Sequence, residues 1–107
     1  MSVENFKILD VIGIDKNENA VLTISDHLEW DSDNEHLMIL QNKINAYLEA
    51  IENGSLYIDY PKAIDRKIII NIIAKYEPSE DGKIFLDRIS ALLSEAGYGF
   101  KFSVVAD

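Results

Sequence analysis

The sequence predicts an α+β fold: two layers in the order ββαβαβ, with a four-stranded mixed sheet and two helices packed on one of its faces. Three observations carry this. β-branched runs alternate with stretches whose apolar residues recur every three or four positions, and Gly, Pro or clustered polar residues punctuate the joints. No repeat, low-complexity run or long linker interrupts the 107 residues, so one domain over 1–107 is expected. A chain of this length buries roughly two-thirds of its unfolded surface, enough for a core without covalent staples.

Taken in order, ILDVIGI (8–14) and AVLTIS (20–25) flank DKNEN, a polar loop of turn-forming residues, and together read as a hairpin. Beyond Ser32, the apolar positions Leu37, Leu40, Ile44, Tyr47 or Leu48, and Ile51 mark one side of a long helix that Gly54 ends. SLYIDYPKAID is read as a connection, and RKIIINIIAKY as a strand with Ile68, Ile70, Ile72 and Ala74 on one face. Ile69 and Ile73 make its other face apolar too, which suits a central strand. Pro78 and Ser79 open a second helix with an inward stripe of Phe85, Ile89, Leu92, Leu93 and Ala96, stopped by Gly97. GFKFSVVA is the last strand, with Phe100, Phe102 and Val104 inward.

Right-handed crossovers would make the second, third and fourth strands parallel and place both helices on one side. The opposite sheet face would then carry Leu9, Val11, Val21, Ile69, Ile73 and Val105 among Thr23, Asn71 and Lys101. A homodimer through that open face is the expected way to cover it.

Composition narrows the function classes. Without cysteine there is no disulfide framework, thiolate ligand or thiol nucleophile. The N-terminus has no basic region followed by an apolar run, and no apolar stretch reaches membrane-span length; a cytoplasmic protein is expected. The net charge of -9 is unevenly spread: residues 1–60 hold twelve Asp/Glu against three Lys/Arg, and residues 61–107 hold seven of each. Such a field repels phosphates and, with no basic stripe, argues against nucleic acid; it favours a basic protein partner.

The densest chemistry lies in SDHLEWDSDNEH (25–36), with five carboxylates and two imidazoles. One reading is helix capping: Ser32 and Glu35 have capping-box spacing, and Asp33 adds charge near the positive helix end. Another places Asp26 and His27 at a strand end and Asp31, Asp33, Glu35 and His36 at the next helix start, where a loop brings them together. His27, His36 and Asp31 are then candidate ligands for Mn, Fe, Zn or Mg in a metal-assisted hydrolase. There is no HExxH, and no cofactor is expected.

Other motifs fail on inspection. DKNENAVLTISD sets Asp15, Asn17, Asn19 and Asp26 at calcium-loop positions, but Ala20 replaces the required Gly and strands flank the loop. Ser25, Asp26 and His27 have triad residue types, yet neighbours on a strand point to alternate faces. The five glycines form no phosphate cradle. In LYIDYPKAIDRK, Tyr57 and Tyr60 are candidates equally for recognition and for packing.

DVIGIDK, VLTISDHLEW, NEHLMILQNKINAYLEAIENG and YPKAIDRKIIINIIAKY together resemble a family of small uncharacterised bacterial proteins, a domain of unknown function. The resemblance implies a bacterial protein of this length and assigns no residue a role. The leading expectation is a non-enzymatic, immunity- or inhibitor-like module. It would bind a basic partner through Asp26, Glu29, Trp30, Asp31, Asp33 and Glu35, with Tyr57 and Tyr60 as anchors.

Overall fold

The computed structural model describes residues 11–30 and 35–105. Strands β1 (Val11–Ile14), β2 (Ala20–Asp26), β3 (Ile68–Ala74) and β4 (Gly99–Val104) form one sheet in the order β1-β2-β3-β4. β1 pairs antiparallel with β2, and β2–β3 and β3–β4 are parallel. This is the mixed four-stranded sheet expected, because each helical crossover returns the chain in the same direction.

The hairpin turn is built by Asp15. Its carboxylate accepts the N–H groups of Asn17 and Asn19 at 2.9 Å each, and the Asn19 side-chain amide at 3.2 Å. The Asn19 backbone bond is the largest cause holding the Asp15 carboxyl below its ordinary value. These bonds explain the Asp and Asn spacing that mimics a calcium loop: they fold the turn. Asp26 meanwhile lies at the far end of β2.

Glu18 occupies the left-handed position of this turn, with φ 65°. An L side chain there costs about 1–2 kcal/mol, more than the extra unfolded-state entropy of glycine, about 0.4–1 kcal/mol. Glu18→Gly also loses a 3.9 Å ion pair to Arg66, but the Glu18 side chain is 85% exposed and such pairs contribute little. Glu18→Gly is therefore expected to stabilise the fold by about 0.5 kcal/mol, read from the urea midpoint.

Among the described residues there are three α-helices, one more than the sequence predicts. α1 (Glu35–Glu52) ends before Gly54, which has φ 84°. Part of the expected connection is itself helical: α2 (Ser55–Asp59) is followed by a single 3-10 turn, Pro61–Ala63. Leu56 and Ala63 are buried there, so the segment coils to deliver two side chains to the core within eight residues. Five residues are too few to reveal a 3.6-residue period.

α3 (Glu80–Glu95) starts at Ser79, whose hydroxyl accepts the Gly82 N–H at 3.0 Å. Its buried residues are Gly82, Phe85, Leu86 and Leu93, while Leu92 is 55% exposed and Ala96 lies at the surface. The stripe predicted with Leu92 and Ala96 is thus rotated. Phe85, Leu86, Ile89 and Leu93 satisfy the period equally well, and only the position of the sheet selects between the two.

The core is one-sided. Ala20, Leu22 and Ile24 of β2 and Ile68, Ile70 and Ile72 of β3 meet Leu40, Ile44, Tyr47 and Ile51 of α1, Leu56 of α2, and Phe85, Leu86 and Leu93 of α3. Register explains this: Leu22 lies beside Ile70 and Ile24 beside Ile72, so one set of alternating side chains faces every helix.

On the other face, Ile69 is only 6% exposed. A Cβ on Gly99 would sit 2.9 Å from Ile69 Cγ1, so the missing side chain makes room for it. Asn71 Nδ2 donates to Thr23 Oγ1 at 3.4 Å across this face. Of the residues expected to form an open apolar patch, Val105 is strongly exposed, whereas Val21, Ile69 and Ile73 are not; Leu9 and the side chain of Val11 lie outside what is described.

Candidate functional site

The acidic stretch is divided by burial. Asp26, last residue of β2, shares the inward set with Leu22 and Ile24 and is 2% exposed. His36, in the first turn of α1, is 3% exposed. The two meet: His36 Nε2 lies 2.6 Å from Asp26 Oδ2. The other carboxylate oxygen accepts the Leu28 N–H at 3.3 Å.

Trp30 covers the pair. Its ring centroid lies 4.0 Å from that of His36, and its indole N–H donates to the Tyr76 carbonyl at 3.3 Å. Gly82 of α3 admits the indole: a Cβ there would sit 2.7 Å from Trp30 Cε3 and Cζ3. The Lys75 N–H also donates to the Asp26 carbonyl at 2.9 Å. One polar knot therefore joins the ends of β2 and β3 to the starts of α1 and α3.

Chemically, a carboxylate oriented on an imidazole is the supporting half of general-base machinery. Here both side chains are enclosed, 2% and 0% exposed, and Trp30 packs on the imidazole at a 40° tilt. That geometry orders a core and closes it to substrate. His27, the next residue after Asp26, is exposed, so the strand end sends the two neighbours to different environments. Among the described residues no group of three or more His, Asp or Glu is placed to hold a metal ion. Asp31 and Asp33, and Ser32 of the expected capping box, lie outside the described residues.

The partner-binding candidates separate in the same way. Asp26 is withdrawn from the surface by its bond to His36, which corrects its placement on a docking face. Trp30 is half-buried, whereas Glu29 and Glu35 are exposed. Tyr57 packs against the core, and Tyr60 is exposed.

Sequence reasoning missed Lys43, which is 0% exposed, with its ammonium 5.4 Å from the Tyr47 ring centroid. A signal for it was present. Lys43 stands three residues after Leu40 and four before Tyr47, inside the apolar stripe of α1. It is the only Lys or Arg of that helix, so burying it leaves the exposed Glu49 and Glu52 with no lysine or arginine from α1 at the surface.

Fold and site define a small α+β protein with a one-sided core, a buried carboxylate–imidazole pair and an acidic first helix. The chain belongs to a family of unknown function, DUF6572, whose family model matches residues 1–106. No curated protein and no solved structure matches it. Among the described residues no helix is long and apolar enough to cross a membrane.

Proposed function

We propose that this protein is a non-enzymatic interaction module, working in the bacterial cytoplasm, whose acidic surface docks a basic partner protein in the manner of an inhibitor or immunity protein. The carrying observation is the burial of Lys43. With the one Lys or Arg of α1 inside, the exposed Glu49 and Glu52 carry their charge without a lysine or arginine from the same helix, and Glu29 and Asp59 are exposed on the segments before and after it. A field of this kind accelerates encounter with a positive surface and penalises partners of the same sign. The enclosure of Asp26 and His36 supports a structural role for this His–carboxylate pair. Self-association is a poorer fit than a basic partner, since two chains each carrying -9 repel.

Capture experiments at low and high salt test this reading. The recovered partner is expected to be basic, and Glu49→Lys combined with Glu52→Lys is expected to slow its association by about tenfold. Binding that is indifferent to 0.5 M salt, or a strongly acidic partner, defeats the proposal.

A further inference from the structure

The edge of β1 away from β2, unpaired among the described residues, faces a cavity of about 560 Å³, lined by Ile12, Gly13 and Ile14 on one side and Asp59 to Ala63 on the other. Three consecutive strand residues point to alternate faces, so a cavity touching all three meets the strand along its backbone edge. Ladder geometry says which groups it meets. Asp15 N–H bonds to the Asn19 carbonyl, and Gly13 pairs with Val21 two positions on. In an antiparallel pair hydrogen-bonded and open positions alternate, so Ile12 and Ile14 turn their N–H and C=O groups outward. Ala20, opposite Ile14, fits this pattern by donating away from β1 to the Lys67 carbonyl. Among the described residues no strand pairs with that edge.

Nothing within Val11–Ile14 discourages pairing: the strand carries no charge and no proline, whereas the opposite edge strand, β4, carries Lys101. Ile14, Tyr60 and Ile64 are exposed on or beside the slot, an apolar concentration of the kind that marks a docking surface. Asp59 and Lys62 balance each other in the lining, leaving backbone bonds and apolar contact to select the occupant.

We infer that the slot receives an extended segment of the partner, which adds as a fifth strand to β1 and seats alternate apolar side chains against Tyr60, Pro61 and Ala63. Backbone groups presented at a free edge are satisfied by another extended backbone. The acidic first half, which includes both walls up to Tyr60, favours basic residues flanking that segment. The inference rests on the basic-partner reading for the sign of the flanks and on the slot for the place and mode of binding.

The probes are synthetic peptides added to the full chain: Lys-Val-Thr-Val-Thr-Val-Lys, the same peptide N-methylated at alternate amides, and a version with Glu at both ends. Backbone amide NMR is expected to show the lysine peptide shifting Ile12, Gly13, Ile14 and Tyr60 and protecting the Ile12 and Ile14 amides from exchange. N-methylation is expected to weaken binding about tenfold, since it removes the ladder donors. Shifts confined to Glu49 and Glu52, or equal binding of the methylated peptide, overturn the slot while leaving the basic-partner reading standing. Equal binding of the Glu-ended peptide at the slot overturns the charge assignment and that reading with it. Protection of Ile12 and Ile14 that rises with protein concentration alone makes a second copy the occupant and overturns the inference.

Discussion

Asp26→Ala is expected to destabilise the protein by about 3–5 kcal/mol, because removing one partner of a buried ionisable pair strands the other. Domains of this size have about 5–15 kcal/mol in total, so the loss is a large fraction of stability. The Leu28 N–H, which donates to the same carboxylate, loses its acceptor as well. His36→Ala is expected to fall in the same range, since it leaves the Asp26 carboxylate inside a core.

Replacing both residues by leucine discriminates a structural pair from a working one. Buried ion pairs exchanged for apolar residues of similar volume are often neutral or stabilising, so the double variant is expected to recover most of the lost stability. If it also keeps partner binding, the pair acts only by joining β2 to α1. Urea unfolding of wild type, both single variants and the double closes the cycle. A loss below about 1 kcal/mol in both single variants, the range of an ordinary hydrogen bond, removes the structural role assigned to the pair.

Gly82→Ala is the second large effect, and its sign opposes helix propensity. In an open helix position the substitution gains about 1 kcal/mol. Here the added methyl would stand 2.7 Å from two ring carbons of Trp30. The indole has little freedom to retreat, being held by the Tyr76 carbonyl and packed against the His36 ring. Overpacking costs about 1–3 kcal/mol, which outweighs the propensity gain and leaves a net loss of up to about 2 kcal/mol. Trp30 is the only tryptophan, so its fluorescence reports the displacement directly. A red shift with lowered stability supports the packing described; unchanged emission with raised stability contradicts it.

These two sites show how far residues reveal their neighbours. The strands were legible because Ile68, Ile70 and Ile72, or Ala20, Leu22 and Ile24, repeat with the period of two that a half-buried strand imposes. Both long helices were legible from their apolar spacing and from Gly54 and Ser79 at their ends. α2 was not, because five residues display no period. On α3, Leu86 and Leu92 are chemically equivalent, and only packing into the core makes the first buried and the second exposed.

The acidic stretch makes the same distinction. Its composition identifies Asp26 and His36 as residues with something to do, and nine intervening residues conceal that their side chains touch. Lys43 stands at an apolar helix position, yet its long stem and charge read as surface until the helix is docked.

The sequence by itself determined the element types, the mixed sheet, the family and the sign and location of the charge excess, because periodicity, turn chemistry and charge are properties of the chain. Only the tertiary structure decided which His meets which carboxylate, which face of α3 is buried, and that the cation of α1 lies inside. Those outcomes depend on distances between segments remote in sequence, and burial changes what an ionisable group contributes more than its identity does.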